Sequence, residues 1–181
     1  MIHMTRPRQL DETARQAWAA YRRLHLLVDA EIARDLERDA GLSMADYDVL
    51  DAVAAMSDGE HCIRVNGLTA RMNWAHSRLS RQLGRMERRG LIARQACELD
   101  GRGDDIVLTE SGRQVYAEAA PAHLASIHRH FTESLSAQQL EALLGIEQTI
   151  AQRWSGNRRS TETTSSLTEP PTPARRSSGP R

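Results

Sequence analysis

Between residues 76 and 88 the chain sets His76, Ser77, Arg78, Ser80, Arg81, Arg85 and Arg88 among Leu79, Leu83 and Met86. No nucleophile–base pair, no glycine-rich phosphate loop running into a helix and no metal triad accompanies them, so the chemistry is recognition rather than bond making. A guanidinium can pair bidentately with a guanine edge or contact a phosphate. Leu79, Leu83 and Met86 recur at spacings of four and three, which on a helix makes one buried stripe and leaves the polar side chains on the other faces. Ser77, Arg78 and Arg81 then lie near the N-terminal end, within reach of base edges. Arg85 and Arg88 are better placed for phosphates, and His76 reads as a polar contact rather than a catalyst. The small residues Ala75, Ser77 and Ser80 allow a close approach to DNA. Further on, Arg102 sits in GRGDD (101–105), a Gly- and charge-rich hairpin tip. From there it can enter the minor groove of a flanking A·T-rich step.

The overall charge argues the other way. The 181 residues hold 24 basic and 24 acidic side chains, and a neutral total is unusual for a nucleic-acid binder. Every basic residue is Arg, and the distribution reverses the inference. Residues 64–103 carry 9 Arg against 3 acids, whereas residues 1–63 carry 7 Arg against 12 acids. A local positive field attracts phosphate whatever the sum. A solvated helix face would show the same Arg cluster, so charge alone leaves both readings open.

The elements that must position these groups follow from periodicity. Residues 11–39 read as a long helix without Gly or Pro, with an apolar stripe through Trp18, Tyr21, Leu24, Ile32 and Leu36. Its length suggests packing against a second subunit. Gly41 stops it, and Ser43 caps a second helix bearing Tyr47, Leu50 and Val53. A turn and short extended piece (57–65) precede two short helical patterns, about 66–72 and 75–89, broken at Asn73 and Trp74. A strand from Leu91 to about Cys97 and a return strand at 106–108 make a hairpin. Thr109 caps a helix running to about Thr132, which Pro121 should kink or restart. Ser136 with Gln139 is a capping box for a last helix. The expected organisation is a flexible N-terminus at 1–10, a domain at 11–156 and a disordered Ser/Thr/Pro-rich tail at 157–181.

Helix, helix, tight break, helix and two-stranded hairpin make a winged helix-turn-helix, mainly α with a small β-hairpin wing. The chain resembles the MarR family of transcriptional regulators, whose wing motif is Asp-x-Arg, five residues, then Leu-Thr-x-x-Gly. Here DGRGDDIVLTESG supplies Asp100, Arg102, Leu108, Thr109 and Gly112 at matching spacing. SRLSRQLGRMERRGLIAR (77–94) resembles the family's recognition helix and following strand, and LSMADYDVLDAV (42–53) its second helix. The resemblance covers about 11–154 and implies a homodimer joined through helices at about 11–40 and 110–154. It implies a winged helix-turn-helix at about 43–110 and a pseudo-palindromic double-stranded DNA operator. Repression relieved by a small aromatic or anionic effector is implied too. It assigns the minor groove to Arg102 and wing support to Asp100, with Arg94 as its partner. Gly103, Asp104 and Asp105 depart from the family pattern by putting two acids after the wing Arg.

Other residues divide between plain and functional readings. Trp18 and Trp74 are core or interface aromatics, or they line an effector pocket. Cys62 and Cys97 make no disulfide framework, read as ordinary buried thiols rather than a redox switch, and suggest an intracellular, cytoplasmic protein. The histidines lack metal-ligand spacing, and no cofactor is expected. MIHMTRPRQL has no apolar signal core, and no run approaches the ~20 residues of a membrane span. The chain does not read as an enzyme. The alternative to a DNA reader is a winged helix used for dimerisation or protein docking, but such a helix would be apolar or mixed rather than rich in Arg.

Overall fold

The protein, a computed structural model, is described at residues 9–57, 62–97 and 104–165. A unit reaching to Ser134 holds α1 (Glu12–Ala40), α2 (Met44–Met56), α3 (Val65–Met72), α4 (His76–Arg88), β1 (Ile92–Ala96), β2 (Asp104–Leu108) and α5 (Glu110–His130). A 3-10 turn at Thr132–Ser134 closes it. A second unit, from Leu135, contains α6 (Ala137–Ser165). The expected class is therefore correct: mainly helical, with one antiparallel hairpin.

Local chemistry sets the boundaries. The Asp11 carboxylate accepts from the Ala14 amide at 2.7 Å and starts α1, and Gly41 ends it at φ 62°. Ser43 and Asp46 form a reciprocal capping box on α2. Asn73, at φ 52°, is the left-handed residue that turns α3 into α4. α5 runs unbroken through Pro121, so the expected restart is absent. α6 starts at the Ser136–Gln139 box and continues to Ser165, past the boundary expected at 156, because no proline interrupts its backbone ladder before Pro170. The remainder of the expected tail and the N-terminal residues 1–8 lie outside the described residues.

The core gathers under the short helices. Leu68, Leu79, Leu83 and Met86 pack with Leu50, Val53, Ile92 and Ile106, all fully buried. Ile92 pairs with Leu108 and Ala96 with Asp104 across the hairpin. This corrects the tip: Asp104 and Asp105 belong to β2, and Asp105 accepts the Ile63 amide at 2.7 Å rather than facing solvent as a tip charge. α1 packs on α5 at its C-terminal end, where buried Asp35 accepts from Ser126 at 2.8 Å and meets Arg129 and His130 at 2.9 Å. The first half of α1 leaves Trp18, Tyr21, Leu24 and Leu27 exposed.

Cys62 and Cys97 are not separate thiols. They form a disulfide with Cα atoms 5.9 Å apart. The chain before α3 lies along the hairpin, with the Ile106 amide donating to the Ile63 carbonyl at 2.9 Å, and this brings together cysteines 35 positions apart. Among the described residues no helix is long and apolar enough to cross a membrane.

Candidate nucleic-acid interface

α4 is held by its apolar stripe and by one buried polar contact. Leu79, Leu83 and Met86 are fully buried, as their spacing requires. Between them Gln82 is also buried, and its amide donates to the Asp46 carboxylate on α2 at 2.7 Å. Arg89, just past the helix, donates to the same carboxylate at 2.7 Å. Burial alone would raise the Asp46 pKa, but hydrogen bonds from Ser43 and Arg89 outweigh it and hold the carboxyl below its usual range. The axis of α4 is thereby fixed against α2 by a charge-assisted network.

The opposite face is open. His76, Ser77, Arg78, Arg81, Arg85 and Arg88 are exposed, and Ser80 is half-buried. Ser80 Oγ and His76 Nδ1 share a hydrogen bond at 3.3 Å, and Arg81 Nε donates back to the Ser77 carbonyl at 3.2 Å. Arg85 donates to Gln82 Oε1, so this expected phosphate ligand is steadied by the residue that anchors the helix. The Arg78 guanidinium lies over the Trp74 ring, 3.8 Å from its centroid, a cation–π arrangement. Arg78 is thus placed by the turn that precedes its own helix.

Arg102 and Asp100 lie outside the described residues. Arg94, expected to pair with Asp100, faces Glu87 of α4 at 3.4 Å, which ties β1 to the end of that helix. Trp18 and Trp74 were both expected either to pack or to line an effector pocket. Trp18 is exposed on α1 beside Tyr21, whereas Trp74 lines a cleft with Asp48, Asp51, Ala52, Arg71 and Met72. Sequence reasoning missed Gln82 and Asp46. A glutamine inside the apolar stripe of α4 was the available clue, since a buried amide needs a partner.

The arrangement is a rigid helix carrying a cationic, hydrogen-bonding face beside a β-hairpin, the geometry that fits a DNA major groove. The MarR family model matches residues 40–103. AbsC, a MarR family transcriptional regulator from Streptomyces coelicolor, is 35% identical, with 83% of this chain and 99% of that one covered at a TM-score of 0.73. Sco3205 from the same organism, a MarR family regulator solved in complex with DNA, is 28% identical over 80% of this chain and 89% of its own, at a TM-score of 0.72. CouR from Rhodococcus jostii RHA1, bound to p-coumaroyl-CoA, shares the fold at 24% identity, 75% and 91% coverage and a TM-score of 0.64. No curated protein matches the sequence.

Proposed function

Because the chain belongs to the MarR family of transcriptional regulators, we propose that it is a sequence-specific, effector-responsive repressor that binds a pseudo-palindromic operator as a homodimer. The observation that carries this reading is the face of α4, where Ser77, Arg78 and Arg81 stand exposed on a helix anchored from behind by Leu79, Gln82 and Leu83. The DNA complex of Sco3205 supports the same use of the fold. Arg85 and Arg88 take phosphates, Arg102 takes the minor groove, and the chain acts as a binding protein rather than an enzyme; a cytoplasmic location follows from where such DNA lies and no longer from the cysteines, which are joined.

The dimer reading has its own support. α1 exposes Trp18, Tyr21, Leu24 and Leu27, and α6 exposes Leu144, Ile146, Ile150 and Trp154. Apolar side chains in such number on long helices mark contact surfaces. The domain then divides into a winged helix-turn-helix at about 43–110 and dimerisation helices on either side. Sedimentation should give a dimer, and deleting residues 1–35 should give monomers or aggregates. A soluble dimer after that deletion would refute the role of α1.

A gel shift with the DNA upstream of the gene, over a salt series, tests the central reading. Binding should weaken steeply with salt, because phosphate contacts release counterions even when the protein's total charge is zero. Arg81→Ala should lose about ten-fold on the operator and much less on random DNA, since base contacts specify and phosphate contacts position. Equal losses on both DNAs would remove Arg81 from base reading, and no shift at all would favour the docking-module alternative.

A further inference from the structure

The cleft that Trp74 shares with α2 and α3 has a volume of about 350 Å³ and is lined by Asp48, Asp51, Ala52, Arg71, Met72 and Trp74. That is within the range of small-molecule sites, at its lower end. Its fixed charge is negative. Asp48 is half-buried, and among the described residues no hydrogen-bond donor reaches its carboxylate. Burial pushes its pKa up, with Asp51 adding to the push and Arg78 opposing it. Asp51 accepts the Tyr116 hydroxyl at 2.8 Å, a neutral donor that leaves its charge in place. Arg71 is exposed and makes an ion pair with neither carboxylate. A half-buried carboxylate without a partner in a cleft is an unmet requirement for a cation.

The nature of that cation follows from the rest of the lining. No group of three or more metal-ligating side chains is present among the described residues, so the oxygen set is too small for a divalent ion. The cleft does offer the indole of Trp74 and the side chain of Met72, surfaces suited to an organic ammonium with an apolar body. Arg78 already plays part of this role, with its guanidinium over the Trp74 ring and its charge felt by Asp48. We propose that the cleft between α2 and α3 binds a small organic cation with Asp48 as counter-ion, and that Trp74 relays its presence to Arg78 of the reading helix. This rests on the reading of the chain as an effector-controlled DNA binder, and it gives the effector the opposite charge to the anionic kind first expected. A ligand cation that takes over the ring and the Asp48 field releases Arg78 from its fixed position and weakens base reading.

The test uses the full chain and two probes, benzyltrimethylammonium chloride and sodium benzoate, titrated by calorimetry at constant ionic strength. The ammonium should bind saturably and the benzoate should not. Asp48→Asn should weaken ammonium binding ten-fold or more, while Asp48→Glu, which keeps the charge, should retain most of it. Because the unpartnered carboxylate is costly to bury, Asp48→Asn should melt no lower than the parent. In a gel shift, saturating ammonium should weaken operator binding three-fold or more in the parent and not in Asp48→Asn. No heat with the ammonium, equal affinity in Asp48→Asn, or preference for benzoate would each overturn the site. Binding that leaves DNA affinity unchanged or tightens it would overturn the relay. Failure to bind DNA without any probe would strike the underlying functional reading instead, and calorimetry reports on the cleft independently of that.

Discussion

Gly112→Ala should lower the stability of the protein by about 3 kcal/mol, the upper end of ordinary over-packing penalties. The added Cβ would stand 1.8 Å from the Leu91 carbonyl oxygen and 2.8 Å from its carbon. Both are backbone atoms, so no side chain can rotate away. The same carbonyl accepts the Thr109 amide at 3.2 Å, while the Thr109 hydroxyl accepts the Gly112 amide at 2.9 Å and donates to the Gly90 carbonyl. The end of α4, the start of β1 and the first turn of α5 are thus joined at one point, and the glycine is there for space. Chemical denaturation should show a lower midpoint at an unchanged slope. A midpoint equal to the parent's would mean that the first turn of α5 moves aside at no cost.

Asp46→Ala should cost about 2–4 kcal/mol, the sum of leaving a buried amide without its acceptor and losing a helix cap, since the Arg89 guanidinium it also releases is open to solvent. Asp46 is buried, with 5% of the residue exposed, and its side chain serves three groups: the Ser43 cap, the Gln82 amide and the Arg89 guanidinium. Removing it leaves a buried amide without its acceptor and loses half of the capping box. The pH dependence carries a definite sign. The folded carboxyl titrates below its unfolded value of about 4, so its contribution is complete above that value and is lost as pH falls through the depressed folded pKa. The stability gap between parent and variant should therefore shrink on going from pH 7 to about pH 3. A gap that stays constant would show that packing, not charge, holds α4 on α2. Operator affinity should fall in the variant as well, because α4 loses the contact that sets its orientation.

The faces of α4 were legible because its pattern is local. Leu79, Leu83 and Met86 define the buried side of α4 from spacing alone, and the open side follows. Caps at Ser43, Thr109 and Ser136 were legible for the same reason, whereas the Asp11 cap was read as part of its helix. Gly112 was visible only as part of a resembling motif, and the nearby Leu91 carbonyl now supplies the reason. What could not be read were contacts between residues distant in sequence. Gln82 meets Asp46 across 36 positions, Arg89 meets it across 43, and Cys62 meets Cys97 across 35. Composition misled at the end of α6, where Ser and Thr content suggested a tail although the backbone ladder continues to Ser165. Charge counting misled at Asp105, whose carboxylate is engaged by a backbone amide instead of facing solvent.

The Cys62–Cys97 bond encloses α3, α4 and β1 in a closed covalent loop. A single backbone cut anywhere inside that loop, including the turn at Asn73 and Trp74, opens the ring without dividing the molecule. The segment proposed to face DNA is therefore also the segment whose scission releases no fragment until the bond is reduced. In connectivity the reading helix belongs to a small macrocycle set within the longer chain.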